Sequence, residues 1–338
     1  MRNRIVSAVL SSMIAVTAAA QGIPALLKEH KIPAVGIGVI RDGKLQRVEV
    51  YGQLAEGVAA PYDTIWNVAS LTKPVVALLT LKLVAEGKWS LDEPLAKHWV
   101  DPDVANDPRH KKLTTRHVLS HQTGFKNWRW LEESKKLTFN ADPGTKFGYS
   151  GEGFEYLRRA LEQKLGKSLA QLSQTYVFDA AGMPDTRHLW DARMDEARFA
   201  RWHDGEGRNT YTDHRTTKAN AADDLLTTVE DYGRFAAWVL NGAGLPPALF
   251  NEMLKQQATM RPGAAFSLGW ELIQDLPNGE YALIHSGSDE GVKTLVILLP
   301  RSKQGVVVLT NGDNGVRLYP KLITDHLDVG AELLERAN

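Results

Sequence analysis

The sequence predicts an α+β fold, in which the N- and C-terminal segments form an antiparallel sheet flanked by helices, with a mainly helical subdomain inserted between them. Apolar, β-branched runs bounded by turn residues occur near the start of the chain and again near its end. The stretch between them, from about residue 89 to 220, has helix-like pieces and few strand-like ones. We therefore assign residues 21–75 and 219–338 to an α/β subdomain and residues 76–218 to a helical one.

The first predicted elements are a short helix and a hairpin. Residues 24–30 suit the helix, residues 34–40 form a continuous apolar run, and residues 45–51 form a strand of mixed polarity. The dipeptide Asp42-Gly43 between the two runs is typical of a tight turn, so the two strands are expected to pair.

A buried helix is predicted from Ser70 to about Glu86, because its side chains are apolar nearly all round. Pro74 is tolerated in the first turn, where a backbone N–H has no helical partner. Gly87 suits the position just past the end of the helix. A further helix is predicted over residues 153–165.

Strand signals return late in the chain, as apolar runs separated by turn residues. The predicted strands cover residues 266–273, 281–285, 292–299 and 305–311. Residues 318–336 then form a predicted closing amphipathic helix.

Composition excludes several classes of function. The 338 residues include 40 Lys and Arg against 40 Asp and Glu, so the chain lacks the basic stripe that binding to nucleic acid needs. The absence of cysteine excludes disulfides, thiolate nucleophiles and cysteine-ligated zinc. His117 and His121 have the spacing of helical metal ligands, but no third ligand accompanies them. We therefore predict no metal and no cofactor.

The first 20 residues have the layout of a secretory signal peptide. Arg2 and Arg4 are followed by an uncharged apolar stretch and then by Ala18-Ala19-Ala20, which offers a cleavage site after Ala20. A membrane anchor is the alternative, but the stretch is shorter than the ~20 residues that span a bilayer. We expect an exported protein, periplasmic or secreted, with no stable membrane span after cleavage.

A candidate nucleophile lies at the start of the buried helix. Residues three apart on a helix share a face, so Lys73 can reach the hydroxyl of Ser70 and serve as its basic partner. The helix N-terminus adds unpaired N–H groups and a partial positive charge, which suit a developing oxyanion. Ser-x-x-Lys alone is a common chance match, but a lysine in so apolar a helix is costly unless it has a use.

Two later motifs also carry candidate chemistry. Tyr149 stands in a loop rich in glycine and serine, where its phenol can act as a base or proton shuttle. His285 precedes Gly287 and Ser288 at a strand end, where Gly287 lets a substrate approach and the Ser288 N–H can donate to an oxyanion. Each motif taken alone is better explained as an ordinary turn.

The order of the three motifs resembles that of the serine β-lactamase and penicillin-binding superfamily. The resemblance is to the branch of class C β-lactamases, soluble DD-peptidases, D-aminopeptidases and related esterases. It extends over essentially the whole mature chain. The further matching segments are residues 64–73, 114–124, 266–270 and 287–311.

The resemblance implies a β-lactamase-like fold and a role for each motif. Ser70 would be acylated, while Lys73 and Tyr149 would share the duties of general base and proton shuttle. The N–H groups of Ser70 and Ser288 would form the oxyanion hole. Which of Lys73 and Tyr149 takes the first proton stays open, because coupled groups need not admit one answer.

The departures from the family pattern bear on the substrate. His285 and Gly287 would line the edge where substrate docks, but His285 replaces a frequent lysine and is only partly charged near neutral pH. Gly151 replaces an asparagine that can hydrogen-bond the substrate amide. Asp223 and Asp224 replace small residues, and the sequence offers no physical account of them.

We therefore expect a serine hydrolase that acts on a small ester, amide or peptide substrate through an acyl-enzyme. The first alternative is a DD-carboxypeptidase or a weak class C-type β-lactamase. The second is a protein without catalytic activity that binds or senses cell-wall peptides on this fold.

Overall fold

A nine-stranded antiparallel sheet dominates the computed structural model, which describes residues 22–212 and 215–337. The predicted signal peptide, with its cleavage site after Ala20, lies outside the described residues. The sheet has the strand order β3-β2-β1-β11-β10-β9-β8-β7-β6, and β4 and β5 form a separate two-stranded ribbon. The strands are β1 Ala34–Arg41, β2 Lys44–Ala55, β3 Val58–Ala59, β4 Trp66–Asn67, β5 Leu226–Thr227, β6 Ala258–Arg261, β7 Ala264–Phe266, β8 Glu271–Ile273, β9 Ala282–Asp289, β10 Val292–Leu299 and β11 Gln304–Thr310.

The centre of the sheet joins the two ends of the chain. Strand β1 pairs with β11, with Val35 opposite Thr310 and Ile40 opposite Gly305. Strand β10 has the bounds that the sequence predicts, and β9 runs four residues further than predicted, to Asp289. The α+β prediction is thus confirmed, whereas the division at residues 75/76 and 218/219 stays a prediction.

The helices pack on both faces of the sheet. They are α1 Ile23–His30, α2 Thr72–Ala85, α3 Thr115–Leu119, α4 Gly151–Leu165, α5 Leu169–Ser173, α6 Asp179–Ala181, α7 Val229–Leu240, α8 Pro247–Leu254, α9 Tyr319–His326 and α10 Gly330–Ala337. Within the described residues, no helix is long and apolar enough to cross a membrane.

Alternating side chains of the sheet belong to two hydrophobic clusters, one on each face. In β11, Val306 and Val308 belong to the cluster that α1, α9 and α10 cover, while Val307 and Leu309 belong to the cluster around α2. Successive strand residues point to opposite faces, so a fully buried strand of this kind indicates layers on both sides. Helix α2 is buried nearly all round, as its composition predicts.

Two late elements differ from the sequence prediction. The predicted strand over residues 266–273 is two strands, because Gly269 turns the chain with a φ of +94°. A Cβ at Gly269 would lie 2.4 Å from the Cβ of Ala77, so this turn packs directly on α2. The predicted closing helix is likewise two helices, which break between His326 and Gly330.

The β4–β5 ribbon positions the candidate nucleophile. Trp66 pairs with Thr227 and Asn67 with Leu226, so the segment just before Ser70 is tied to a segment more than 150 residues away. The backbone N–H of Leu225 also donates to Oγ1 of Thr72, at 3.1 Å. These contacts hold the start of α2 in place from outside the helix.

Candidate active site

Ser70 lies in a strained turn that leads into α2. Residues Ala69–Leu71 form a short 3₁₀ turn, and Ala69 has a φ of 47°, a left-handed conformation that costs a non-glycine residue about 1–2 kcal/mol. The side chain of Asn67 accepts the Ala69 N–H at 2.8 Å, and Thr72 donates to the Ala69 carbonyl at 2.7 Å. Strain held by surrounding hydrogen bonds is common at functional sites.

Lys73 reaches the nucleophile as its spacing predicts. Its side chain is fully buried, and Nζ donates to the Ser70 Oγ at 2.8 Å and to the Ala222 carbonyl at 2.7 Å. A hydrogen bond of this length gives the serine proton a direct route to or from the lysine. The structure therefore brings the predicted nucleophile and its basic partner together.

Tyr149 lies beside Lys73. The Lys73 Nζ lies 4.8 Å from the centroid of the Tyr149 ring, and the ring is half-buried. The loop that carries Tyr149 ends at Ser150, whose side chain caps helix α4 by accepting the Gly153 N–H at 3.1 Å. Three predicted catalytic residues from two distant segments thus meet at one place.

His121 holds the tyrosine loop, a role that its spacing to His117 does not suggest. The carbonyl of His121 accepts the Gly148 N–H at 2.8 Å, and its Nδ1 accepts the Ser150 N–H at 3.1 Å. The imidazole also lies against the phenol of Tyr149, with ring centroids 4.2 Å apart. Burial, followed by the charge of Lys73, lowers the pKa of His121 well below its ordinary value.

The two histidines of the pair have separate hydrogen-bonding roles. His117 caps α3 by accepting the Thr114 N–H at 3.3 Å, while His121 serves the tyrosine loop. No cluster of three possible metal ligands occurs in the ranges that the structure describes. Only the position of His121 in a segment that resembles the family pattern could have indicated its role in advance.

Gly287 lies directly against the nucleophile turn. A Cβ on Gly287 would lie 2.4 Å from the Val68 carbonyl oxygen and 3.1 Å from the Ser70 nitrogen. Thr294, which is opposite Gly287 on β10, donates to the same Val68 carbonyl at 2.9 Å. Strand β9 therefore runs past the Ser70 backbone, and Ser288, the next residue, is exposed at this edge.

His285 carries no charge at neutral pH. Its side chain is buried, and burial, together with the charge of Lys73, lowers the pKa of His285 to about 3. Its Nδ1 contacts the Ser286 carbonyl at 3.0 Å, so this nitrogen carries the proton and Nε2 is left as an acceptor. Nε2 is buried and has no hydrogen-bond partner among the residues that the structure describes. The expectation of a partly charged His285 is corrected accordingly.

An aromatic side chain fills the space beside Gly151. A Cβ at Gly151 would lie 2.7 Å from the Trp128 ring, which stacks on Trp130 with centroids 4.7 Å apart. The Gly151 N–H donates to the side chain of Asn127 at 2.8 Å. Glycine in place of asparagine at this position therefore leaves room for a tryptophan some 20 residues earlier. Sequence reasoning did not connect the two residues.

Asp223 and Asp289 form a carboxyl pair beside Lys73. Asp223 follows the residue whose carbonyl accepts a hydrogen bond from the Lys73 Nζ, and Asp289 lies close enough to act on its pKa. Burial, followed by repulsion from Asp289, raises the pKa of Asp223 to about 7. Burial also raises the pKa of Asp289. Sequence reasoning named Asp223 without an account of it and missed Asp289, because 66 residues separate the two in the sequence.

Asp224 has a structural explanation of its own. It adopts a left-handed φ of 67°, and its carboxylate accepts the Asn67 side-chain N–H at 3.2 Å. Asn67 in turn holds the strained Ala69 with its oxygen. Asp224 thus supports the nucleophile turn from the opposite side of the β4–β5 ribbon.

Solved structures resemble this fold over most of its length. The chain matches the D-alanine carboxypeptidase AmpC from Burkholderia cenocepacia with a TM-score of 0.74 and 21% identity, covering 89% of this chain and 96% of that one. It matches EstCE1, a hydrolase with promiscuous acyltransferase activity, with a TM-score of 0.75 and 19% identity, covering 91% and 97%. At this identity the likeness shows the fold alone.

Sequence comparison gives the same relationship. Protein flp from Staphylococcus aureus strain COL is 23% identical over 336 residues, which cover 89% of this chain. The chain spans 64% of the length of that relative. A family model described as Beta-lactamase matches residues 19–331. Because the match takes in the nucleophile turn, the tyrosine loop and strand β9 together, the chain belongs to the beta-lactamase family.

Proposed function

We propose that the protein is a serine hydrolase that forms an acyl-enzyme on Ser70, with small esters or amides as substrates. The observation that carries the proposal is the 2.8 Å hydrogen bond between the Lys73 Nζ and the Ser70 Oγ, beside the Tyr149 ring. A serine hydroxyl becomes a useful nucleophile only when a neighbouring base takes its proton. The hydrogen bond between the buried Lys73 and Ser70 supports that role for Lys73.

The proposed reaction has two halves. The Ser70 oxygen attacks the substrate carbonyl while its proton passes to the Lys73–Tyr149 pair, which then protonates the departing alcohol or amine. In the second half, water attacks the acyl-enzyme and gives its proton to the same pair, and the acid is released with Ser70 restored. The N–H groups of Ser70 and Ser288 would stabilise the tetrahedral oxyanion in both halves.

The charges around Ser70 support esters and amides over β-lactams. A β-lactam or a peptide with a C-terminal carboxylate gains binding energy when a cation stands at the third motif. Here His285 is neutral, and the Asp223–Asp289 pair adds negative charge nearby. Each charge-assisted hydrogen bond that a carboxylate loses removes about 1.5–3 kcal/mol of interaction.

Turnover of a p-nitrophenyl acyl ester tests the proposal. Wild-type protein should release p-nitrophenol catalytically, and Ser70→Ala and Lys73→Ala should each lower kcat/KM at least ~10³-fold. Circular dichroism shows whether each variant is folded. If Ser70→Ala turns over the ester as fast as the wild type, Ser70 is not the nucleophile. If folded Lys73→Ala stays active, Lys73 takes no part in the mechanism.

A second candidate is D-alanine carboxypeptidase or weak β-lactamase activity, which the Burkholderia structure of that name favours. The discriminating substrates are a D-Ala-D-Ala peptide and nitrocefin. Release of D-alanine, hydrolysis of nitrocefin, or a stable penicillin adduct on the intact protein would support this candidate. Ester turnover without any of these results would support the first candidate.

We also propose that the protein is exported, because residues 1–20 have the layout of a signal peptide. Cell fractionation followed by N-terminal sequencing should find the mature protein outside the cytoplasm, beginning at Gln21. An uncleaved N-terminus in the cytoplasmic fraction would contradict export.

A further inference from the structure

The Ala222 carbonyl is one of two groups that hold the side chain of Lys73. Nζ donates to this carbonyl at 2.7 Å and to the Ser70 Oγ at 2.8 Å. Lys73 is fully buried, so its N–H groups depend on acceptors that the protein supplies. The position of the Ala222 backbone therefore helps to set where Nζ lies relative to the Ser70 hydroxyl.

The segment that carries this carbonyl, residues 219–224, belongs to neither a helix nor a strand. Two side chains hold it through its backbone. Oε1 of Glu155 accepts the Ala221 N–H at 2.7 Å, and Oδ1 of Asn220 accepts the Ala222 N–H at 2.8 Å. Both alanines are fully buried, where an unpaired N–H is costly. Of these two contacts, only that of Glu155 comes from outside the segment.

Arg158 fixes the carboxylate of Glu155. Its Nε donates to Oε1 at 2.9 Å and its Nη2 donates to Oε2 at 2.7 Å, and the guanidinium is only 2% exposed. A bidentate pair of this kind sets the orientation of a carboxylate as well as its place. Glu155 therefore presents its oxygen to Ala221 in one geometry.

Helix α4 connects this contact with the tyrosine loop. The helix begins at Gly151, two residues after Tyr149, and Glu155 lies about one turn into it. The same helix thus supports Tyr149 at its N-terminus and, through Glu155, the acceptor of Lys73. The relative position of the two groups proposed to carry the proton depends on this one element.

A purely structural role for the ion pair is the alternative, and Glu162 provides the comparison. Glu162 is the other partner of Arg158, which donates to it from Nη1 at 2.6 Å. Its Oε1 accepts the N–H of Leu169 at 2.9 Å, at the start of α5. The two glutamates therefore make equivalent contacts, but only Glu155 directs its second contact at the segment that holds Lys73.

We propose that Glu155 is a positioning residue for Lys73. By holding the Ala221–Ala222 backbone, it keeps the Lys73 Nζ within hydrogen-bond distance of Ser70. Glu155 acts through Ala221, and proton transfer stays with Lys73 and Tyr149. This proposal rests on the acyl-enzyme function proposed above.

Three variants of the full chain test the proposal: Glu155→Ala, Glu155→Gln and Glu162→Ala. We would measure p-nitrophenyl ester kinetics per site that a fluorophosphonate labels at its end point, so that unfolded protein does not count. In Glu155→Ala, kcat and kcat/KM should fall together by ~10–100-fold, because the base is misplaced. Glu155→Gln should stay within ~3-fold of the wild type, because its amide oxygen can accept the same N–H.

Glu162→Ala is the matched control. It removes a carboxylate from the same arginine and an acceptor from a backbone N–H, as Glu155→Ala does. Both variants should lose stability in urea unfolding, but the kinetics of Glu162→Ala per labelled site should stay within ~3-fold of the wild type.

Three outcomes would overturn the proposal. They are wild-type kinetics in labelled Glu155→Ala, an equal loss in Glu155→Gln, and an equal loss in Glu162→Ala. If circular dichroism shows that Glu155→Ala does not fold, Asn220→Ala takes its place, because it removes the acceptor of the Ala222 N–H. An unchanged kcat in Asn220→Ala then contradicts the proposal. A wild-type protein without ester turnover and without labelling would instead refute the acyl-enzyme function itself.

Discussion

At the residue scale, the site depends on glycines that let other groups approach. Gly287 admits the Thr294 hydroxyl and the Val68 carbonyl at distances that no Cβ would allow, and Gly151 admits the Trp128 ring. Neither position has a left-handed φ, so the requirement comes from packing and not from backbone conformation. A larger residue at either position should therefore destabilise the protein because its side chain would displace the neighbouring groups.

Gly287→Ala should damage both activity and stability. The new methyl group would overlap Val68 and Thr294, and strand β9 would move away from the oxyanion site. We expect a loss of about 1–3 kcal/mol in the free energy of unfolding and a fall in kcat/KM of roughly 100-fold. Urea unfolding and ester kinetics check this. Gly205→Ala is the matched control, because its Cβ would meet nothing closer than 3.7 Å. Equal effects in the two variants would refute the steric argument.

An asparagine at position 151, as the family pattern has it, should destabilise the protein unless Trp128 is also replaced by a smaller residue. Gly151→Asn alone should lower the free energy of unfolding by about 1–3 kcal/mol, because the side chain enters the space of the indole. The double variant Gly151→Asn/Trp128→Ala should be more stable than the sum of the single effects predicts, with a coupling of at least ~0.5 kcal/mol. Additive effects would show that the two positions do not compete for space.

At the scale of elements, three segments of separate origin meet at the reacting groups. The turn before α2 supplies Ser70, helix α2 supplies Lys73, the loop before α4 supplies Tyr149, and β9 supplies the edge. The residue that ties the second segment to the first is His121, just past the end of α3. Its backbone and ring bond the residues on either side of Tyr149, so the phenol position depends on the α3 segment.

His121→Ala should lower kcat more than it raises KM, because the tyrosine loop would lose one hydrogen bond and its stacking partner. We expect a fall in kcat of roughly 10–100-fold with p-nitrophenyl esters. His121→Asn, whose side-chain oxygen can still accept the Ser150 N–H, should recover part of the loss. Equal activity of the two variants would show that the hydrogen bond does not position Tyr149.

At the scale of the whole molecule, buried ionisable groups link folding to pH. The folded state raises the pKa of Asp223 to about 7, above the ordinary aspartate value of 3.8, so it holds a proton that the unfolded state has released. The stability from this group is fully present below about pH 4 and is lost as the pH rises through about 7. Burial acts oppositely on His188, lowering its pKa to about 3, so its contribution is lost as the pH falls.

Asp223→Asn should therefore stabilise the protein at pH 8 relative to the wild type. We expect a gain of roughly 1–3 kcal/mol in the free energy of unfolding at pH 8, and a smaller gain or none at pH 4. Urea unfolding at the two pH values checks this. A difference between the variants that does not change with pH would contradict the raised pKa of Asp223.

The sequence predicts what is local and misses what is brought together by folding. The spacing of Ser70 and Lys73 gives their hydrogen bond in advance, although α2 begins at Thr72 and Ser70 lies in the 3₁₀ turn before it, where a separation of three residues still brings side chains together. The apolar runs likewise predict the central strands. The Asp223–Asp289 contact is invisible to such reasoning, since it depends on how the sheet places two distant segments. The break at Gly269 is missed for the same reason, because its cause is the contact with Ala77.

The measurement that tests the central claim most directly is covalent labelling of the intact protein with an active-site fluorophosphonate, followed by peptide mapping. Ser70 should carry one phosphonyl group in the wild type. Ser70→Ala should carry none, and Lys73→Ala should label far more slowly, because the serine loses its basic partner. A wild-type protein that stays unlabelled, or a label on any residue other than Ser70, would contradict the account.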